Sequence, residues 1–313
     1  MSKRDNKRKM SKNKKVVLWT LGVLLFLLLG LIGGGYWYAN IMLNKVEKVE
    51  INTNSEELGI KPEVEEKSKE IRNIALFGID APEGDVGRSD SIMILTLDSV
   101  HNKLKLTSIM RDSYVNIPGR GLDKINHAYA FGGPELAVRT LNENFDLNIK
   151  EFMAVDFTSL PTIIDNLGGV NINIIPEEIS HIPGVTSAGN QVLNGKQALA
   201  YSRIRYASGG DYKRTERQRT VVDAIFNKLK DTTLTEYPAL VSEFLPFVKT
   251  NMSPNEILTL GKDFSGLISS GLAQERFPRD NQGEGQMIDG VYYLTFDRDL
   301  VRSSVHNYIF EDK

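Results

Sequence analysis

The longest apolar run in the chain is Val16–Tyr38, which carries no charged residue and ends in three aromatic residues. A helix of this length spans the roughly 30 Å hydrocarbon core of a bilayer. A cleaved signal peptide has a shorter apolar core of about 7–15 residues, followed by small residues at its cleavage site. The pattern therefore predicts a single-pass protein with an uncleaved transmembrane signal anchor at residues 16–38.

The charges that flank this run predict its orientation. Residues 1–15 contain eight Lys and Arg residues against one acid, Asp5, and basic flanks of a membrane span stay in the cytoplasm. We expect a basic cytoplasmic tail at 1–15 and a type II protein of the cell membrane. Residues 39–70 are rich in Glu and Lys and poor in large apolar residues, which is typical of a stalk. The folded domain would then be extracellular and cover residues 71–313.

Short apolar runs between turn residues predict the strands of this domain. Ile71–Ile79 and Phe152–Phe157 read as buried strands, and Val170–Ile175 as another. Ser91–Leu97 and Lys103–Met110 are separated by only a short polar link, which predicts an antiparallel hairpin. A last strand is predicted at Val291–Phe296.

Helical periodicity and capping residues predict the remaining elements. The predicted helices are Glu135–Phe145 after Gly133-Pro134, Ser159–Leu167, Asn194–Tyr201, one capped by Asp211 and ending near Lys230, and two near 237–249 and 254–270. Strands and helices in this order predict an α/β fold, a three-layer α/β/α sandwich around a central mixed sheet.

Composition excludes several classes of function. From residue 16 onward 30 basic residues face 39 acidic ones, and an excess of acidic residues disfavours nucleic acid as a partner. The chain has no cysteine, which excludes disulfides, a thiolate zinc site and a cysteine nucleophile. Phosphate-binding loops, dinucleotide fingerprints, serine elbows and zinc-binding histidine motifs are absent as well.

Carboxylates and basic residues at predicted strand ends are the first candidate site. Asp80 ends one strand and Asp90 begins the next, so both carboxylates could converge on a hard cation such as Mg²⁺. Arg111-Asp112 follows a third strand end, with Lys124 a short distance on. The alternative is that the two acids are turn residues and that Arg111-Asp112 is a surface pair of little energetic value.

A basic cluster is the second candidate. Six basic residues lie in 203–219 against two acids, within an otherwise acidic domain. Arg214, Arg217 and Gln218 are spaced to share one helix face near the helix N-terminus, whereas Arg219 points elsewhere. Arginine side chains bind phosphate oxygens in a bidentate manner. The alternative is a solvated charged face, but the local concentration favours a pyrophosphate-like ligand and the chemistry of phosphoryl transfer.

Seven motifs in this order resemble the LytR-CpsA-Psr family of bacterial envelope proteins. They are GID (78–80), GRSDSIMILTLD (87–98), SIMRDSYVNIPG (108–119), KINHAYAFGGPELAV (124–138), DNLGGVNI (165–172), LNGKQALAYSRIRY (193–206) and DYKRTERQR (211–219), which together cover a motif core of about 74–229. The family's SIPRD reads SIMRD here, with Met110 at the proline position.

The resemblance implies an enzyme that transfers a phosphoglycan, such as teichoic acid or a capsule polymer, from an undecaprenyl-pyrophosphate carrier to peptidoglycan. It implies Mg²⁺, with Mn²⁺ as a substitute, held by Asp80 and Asp90, and it implies Arg111, Asp112 and Asp90 as catalytic residues. The implied pyrophosphate contacts are Arg88, Arg111, Lys124, Arg203, Arg205, Arg214, Arg217 and Gln218. Apolar candidates for a lipid groove are Phe157, Ile163, Leu167, Val222 and Phe226.

Other functions also agree with this site. A polyprenyl-pyrophosphate phosphatase would use water in place of the sugar acceptor, and a non-catalytic envelope regulator would only bind the lipid. The sequence leaves the general base, the glycan polymer and the acceptor sugar open.

Overall fold

The structure is a computed structural model that describes residues 46–67, 70–81, 86–205, 210–230, 244–267 and 271–313. The predicted cytoplasmic tail, the predicted membrane span and the start of the predicted stalk lie outside these residues. Among the residues described, we find no helix with the length and apolar character needed to cross a membrane.

The described residues form strands and helices in alternation. The strands are β1 (Glu47–Lys48), β2 (Ile71–Asp80), β3 (Arg88–Asp98), β4 (Lys103–Ile109), β5 (Tyr114–Ile117), β6 (Gly121–Lys124), β7 (Glu151–Asp156), β8 (Val170–Ile174), β9 (Gly189–Leu193), β10 (Val248–Thr250), β11 (Leu272–Phe277), β12 (Gly283–Ile288) and β13 (Val291–Phe296). The α-helices are α1 (Pro62–Lys67), α2 (His127–Phe145), α3 (Leu160–Asn166), α4 (Gly195–Ser202), α5 (Gly210–Lys230), α6 (Pro254–Leu267) and α7 (Arg298–Phe310). Short 3-10 helices cover Pro176–His181 and Leu245–Phe247.

The central sheet is mixed, as the sequence predicts. Its strand order is β1-β10-β7-β2-β3-β4-β11. The pairs β2–β3 and β3–β4 are antiparallel, whereas β2–β7 and β4–β11 are parallel. The predicted hairpin of β3 and β4 is therefore confirmed, and it places the start of β3 beside the end of β4.

Helices pack against both faces of this sheet, because successive residues of each strand point to opposite sides. On one face Ala75 and Phe77 of β2 join a core with residues of α2 and α7, among them Val138 and Val305. On the other face Ile74 joins a core with residues of α5 and α6. This arrangement agrees with the predicted layered α/β fold.

A third core cluster supports the second half of α5. It joins the β8–β9 hairpin to α3, α4 and the Val221 face of α5. The α4 helix begins with a capping box, in which the Asn194 side chain accepts from the backbone N of Gln197 and the Gln197 side chain accepts from the backbone N of Asn194. The predicted strand at 170–175 and the predicted helix at 194–201 are confirmed as β8 and α4, whereas β9, which completes the hairpin, was not predicted.

Part of the predicted stalk differs from the prediction. β1 pairs with β10 at the edge of the central sheet, and Leu58, Ile60 and Val64 are buried in its core. Residues 46–67 therefore contribute to the folded unit, which begins at Val46. The high content of Glu and Lys led to the prediction of a stalk, because these three apolar residues are separated by charged ones.

Two predicted helices also differ. The helix predicted at 237–249 is not helical at its end, because residues 248–250 form β10 and pair with β7; residues 237–243 lie outside the described residues. The helix α2 starts earlier than predicted, at His127, and kinks at Gly132 and Gly133 before Pro134.

A buried ion-pair cluster fastens α7 to the sheet. The Lys105 side chain is fully buried, with Nζ 2.8 Å from Asp98 Oδ2 and 3.2 Å from Asp312 Oδ1. The same Nζ donates to the carbonyl oxygens of Tyr308 and Ile309 in the last turn of α7. These carbonyls have no partner inside the helix, so Lys105 satisfies them while it pairs with the two carboxylates.

This cluster predicts acid sensitivity. Burial alone would raise the pKa of Asp98, but hydrogen bonds from Lys105 and His101 outweigh it and lower that pKa. A carboxylate whose pKa is lower in the folded state stabilises the fold above its unfolded pKa of about 3.9. That stabilisation is lost as the pH falls through the folded pKa. We expect the free energy of unfolding in urea to fall below about pH 4, and to fall less steeply in Asp98→Asn.

The exposed Asp299 supplies the control for this measurement, since its side chain is 89% exposed. Asp299→Asn should follow the pH dependence of the unchanged protein. An Asp98→Asn variant with that same pH dependence would show that Asp98 does not carry the acid sensitivity.

Candidate functional site

A β-bulge at the start of β3 presents Asp90. Gly78 of β2 pairs with Ser91 and Ile79 pairs with Ser89, so Asp90 has no partner across the ladder. Bulges of this kind redirect a side chain and are frequent beside active sites. The Asp90 carboxylate accepts from Arg111 Nη1 at 2.5 Å and from Asn126 Nδ2 at 3.0 Å.

Arg111 lies at the centre of the site, directly after β4. Besides Asp90, its guanidinium contacts Asp112 Oδ2 at 3.3 Å and lies 3.8 Å from Asp211 Oδ1. Burial alone would lower the pKa of Arg111, but the three carboxylates outweigh it and raise that pKa. Arg111 therefore stays charged, and it holds together residues from β3, from the end of β4 and from α5.

Lys124 extends this network on the other side of Asp112. Its Nζ is 2.8 Å from Asp112 Oδ1, because the β5–β6 hairpin folds back and ends at Lys124. The ammonium also lies 5.7 Å from the centre of the Tyr293 ring. Asp90, Arg111, Asp112 and Lys124 thus form a row of ion pairs in which negative and positive charges alternate.

The first turns of α5 add a cation that is not fully compensated. Arg214 Nη2 contacts Asp211 Oδ2 at 2.9 Å, while its buried Nε has no hydrogen-bond partner among the described residues. Burial lowers the pKa of Arg214, and the nearby Arg111 and Arg205 lower it further, against the opposing effect of Asp211. A bound anion would relieve both effects, since it would supply an acceptor and a negative charge.

Asp80 and Arg203 form a more exposed part of the same sheet end. Arg203 Nη2 lies 3.5 Å from Asp80 Oδ1, and the Arg203 guanidinium lies 5.4 Å from the centre of the Phe157 ring. The Phe157 backbone N donates to the Ile79 carbonyl. A Cβ at Gly78 would lie 2.9 Å from the Ser91 side chain and 3.0 Å from the Phe157 ring, so only glycine fits there.

Arg217 is placed differently from Arg214. Its Nε lies 2.6 Å from Glu178 Oε1, and both side chains are buried. Its Nη1 also donates to the Ile204 carbonyl. Arg217 is therefore already paired with a carboxylate from the 3-10 helix Pro176–His181, which the sequence analysis did not predict.

The other predicted contacts with pyrophosphate differ in their exposure to solvent. Gln218 is buried, whereas Arg88 and Arg205 are exposed. The Arg88 backbone pairs with Asp80 across the β2–β3 ladder. Both exposed arginines are accessible to a ligand, which agrees with the prediction without testing it.

The five lipid-groove candidates lie in different surroundings. Leu167 belongs to the core cluster around the β8–β9 hairpin, and Ile163 is also buried. Phe226 packs 5.1 Å from Phe264 on the α6 face of the sheet, and Val222 of α5 is half-buried. Phe157 lies instead beneath Arg203 at the charged end, so the structure does not gather the five into one lining.

Sequence reasoning missed three contributors to this site. Asn126 lies within the quoted KINHAY motif, where its amide could have been considered as a partner for a carboxylate. Asp211 was interpreted only as a helix cap. Nothing in the sequence indicated that Tyr293 belongs to the site, because its contact with Lys124 depends on the packing of the β12–β13 hairpin, which is far from Lys124 in sequence.

A divalent cation would find two carboxylates here. The described residues contain no group of three or more His, Cys, Asp or Glu arranged for a metal. Asp80 and Asp90 nevertheless lie at the same end of the β2–β3 pair. Mg²⁺ is usually held by one or two carboxylates plus phosphate oxygens and water, so the two residues fit a cation whose other ligands come from a bound pyrophosphate.

Comparisons with known proteins find relatives of this sequence and of this fold. The sequence model of the LytR_cpsA_psr family matches residues 36–308. The polyisoprenyl-teichoic acid–peptidoglycan teichoic acid transferase TagU of Oceanobacillus iheyensis is 34% identical, over 96% of each chain. The structure of TagT bound to LIIa-WTA is 29% identical with a TM-score of 0.65, over 78% of this chain and 92% of TagT. That of YwtF (TagT) with bound octaprenyl pyrophosphate lipid is 27% identical with a TM-score of 0.61, over the same shares.

Proposed function

The chain belongs to the LytR-CpsA-Psr family, and from this premise we propose that it transfers a glycopolymer from a polyprenyl-pyrophosphate carrier to peptidoglycan. The observation that carries the proposal is the pair of cations Arg111 and Arg214 beside the bulged Asp90. A similar chain is a named teichoic acid transferase, and a similar structure holds a polyprenyl pyrophosphate lipid. The carrier in this protein is, we propose, undecaprenyl pyrophosphate.

The residues of the site would have different roles in such a transfer. Arg214 has an unpartnered Nε and would bind a phosphate oxygen of the donor. Arg111 is fixed by Asp90, Asp112 and Asp211, so its charge is already oriented towards the negative charge that builds up in the transition state. Such preorganised charge is the main source of catalysis in phosphoryl transfer. Lys124 holds Asp112 in place and adds positive charge.

Mg²⁺ is the cofactor that we propose for the site, with Mn²⁺ as a substitute. Asp80 and Asp90 would hold it, and the cation would neutralise charge on the pyrophosphate when bound. Asp80 is the simpler ligand of the two, because its side chain is 57% exposed and its ion pair with Arg203 is a long one, at 3.5 Å. Asp90 keeps Arg111 and Asn126 as partners at the same time, since each carboxylate oxygen accepts from more than one direction.

The lipid tail and the membrane complete the proposal. Leu76 and Met153 of the central strands, with Phe226 of α5, are only partly buried on the α6 face of the sheet. This apolar surface is suited to a polyprenyl chain. The uncharged run at 16–38 and the basic residues before it support an N-terminal membrane anchor, with the catalytic domain outside the cell.

A metal titration tests the cofactor. With lipid-linked glycan and a peptidoglycan acceptor, EDTA should stop the transfer, and added Mg²⁺ should restore it. Asp80→Ala should raise the Mg²⁺ concentration that gives half-maximal rate by at least about tenfold. Asp299→Ala, which removes an exposed carboxylate of α7, should leave it unchanged. Transfer that is unaffected by EDTA would refute the metal site.

A further inference from the structure

The β12–β13 hairpin is joined to the catalytic charges through the backbone. The Leu294 N donates to the Asp112 carbonyl at 2.8 Å, and Ser113 forms a parallel bridge with Leu294. Tyr293 reaches in from the same strand, with its hydroxyl 3.4 Å from Asp123 Oδ1 and its ring beside Lys124. The β12–β13 hairpin therefore forms one wall of the site, although the sequence analysis predicts no functional residue in it.

Tyr292 lies on this wall as an exposed aromatic residue. Its side chain is on the opposite face of β13 from Tyr293, because strand residues alternate, and it is 46% exposed. A Cβ at Gly285 would lie 2.7 Å from the Tyr292 ring. Because Gly285 has no side chain, the ring can rest against β12, and much of it is still open to solvent.

The surroundings of Tyr292 combine aromatic rings with carboxylates. Leu294, two residues further along β13, donates its backbone N to the Asp112 carbonyl, and Tyr212 follows Asp211, which lies 3.8 Å from Arg111. Burial raises the pKa of Tyr292, and Tyr212, Asp112 and Asp211 raise it further. The Tyr212 ring is itself packed against the Arg276 guanidinium at 4.1 Å. Asp211 and Asp112 both contact Arg111, so the tyrosine lies at the edge of the reacting centre.

This combination selects among possible ligands. A lipid tail would have to desolvate the two carboxylates on this side, and the pyrophosphate is assigned to Arg214, whose Nε has no partner among the described residues. A sugar suits both features, because its apolar C–H face can pack on an aromatic ring while its hydroxyl groups donate to carboxylates.

We propose that Tyr292 and the neighbouring Tyr212 form the binding site for the acceptor saccharide of peptidoglycan. The inference rests on the proposed function and adds to it the place where the acceptor binds. A sugar packed on Tyr292 would have its hydroxyl groups held beside Asp112 and Arg111. Holding a reacting group in this way lowers the barrier by removing the entropy cost of encounter.

The test compares hairpin variants of the full chain. With soluble peptidoglycan glycan strands as acceptor, Tyr292→Ala should raise the acceptor KM by about tenfold. The KM for the lipid-linked donor should not change, because the donor contacts that we propose, Asp80, Asp90 and Arg214, lie on β2, β3 and α5 and not on β13. Tyr292→Phe should restore most of the acceptor affinity, since it keeps the ring. Val291→Ala is the matched control, because Val291 is exposed on the opposite face of the same strand.

Calorimetry with the same glycan strands separates this inference from the proposed function. Binding by the unchanged protein that weakens about tenfold in Tyr292→Ala supports the site even if no transfer occurs. Equal binding by the unchanged protein and by Tyr292→Ala would overturn it. An equal rise in the donor and acceptor KM values would also overturn it, because it would indicate a general distortion of the site.

Discussion

Replacing Arg111 with alanine is expected to lower the transfer rate by about 10²–10³-fold, the usual effect of removing one preorganised charge from a transition state. Arg111 contacts Asp90 and Asp112 and lies near Asp211. Its removal would leave three carboxylates around the position of the pyrophosphate. Initial rates with saturating lipid-linked glycan measure the effect, and circular dichroism checks that the fold is kept.

Two variants make this experiment specific. Arg139→Ala removes another arginine, one that pairs with Glu143 on the surface of α2, and should leave the rate unchanged. Arg111→Lys keeps the charge but loses the forked geometry, and should recover only part of the rate. Full activity of Arg111→Ala would show that the network around Asp90 is not the catalytic site.

Replacing Glu178 with alanine is expected to lower the free energy of unfolding by about 3–5 kcal/mol, because it leaves the buried Arg217 without its carboxylate. Both side chains of the pair are at most 5% exposed. Glu178 also accepts from the Ile175 backbone N at the start of its 3-10 helix. Urea unfolding followed by circular dichroism measures the change.

A surface pair provides the comparison for this stability effect. Glu216 pairs with Lys213 on α5, and both side chains are about half exposed. Exposed pairs contribute about 0–1 kcal/mol, so Glu216→Ala should change stability little. If Glu178→Ala lowers the free energy of unfolding by less than about 1 kcal/mol, Arg217 does not depend on Glu178. Arg217 would then be available to bind the pyrophosphate, as the sequence predicts.

Local patterns in the sequence were enough to predict four strands of the central sheet, β2, β3, β4 and β7, and much of the charge network. Short apolar runs predicted these strands, and the short link between β3 and β4 predicted their pairing. Charged residues at the ends of these strands then had to lie near one another. For that reason Asp90 and Arg111, which are 21 positions apart in sequence, were predicted as neighbours and are in contact.

Features that depend on distant contacts were not predictable in this way. The bulge at Asp90 follows from a register shift that neither strand shows by itself. Arg217 and Arg214 look alike in sequence, and only the packing of the Pro176–His181 segment pairs one of them with Glu178. Leu58 and its neighbours were hidden among charged residues, and Tyr292 reaches the site through a hairpin close to the end of the chain.

The central claim is that a lipid-linked glycopolymer is transferred to peptidoglycan, and one assay tests it most directly. The purified full chain would be incubated in detergent with undecaprenyl-pyrophosphate-linked glycan and Mg²⁺, with and without peptidoglycan strands. Mass spectrometry of the digested strands should then find the glycan attached through a phosphodiester, and only when acceptor is present. Release of free phosphoglycan with no attachment, in the presence of acceptor, would contradict the claim and identify a pyrophosphatase. Lipid that binds without any turnover would contradict it too and favour a regulatory protein.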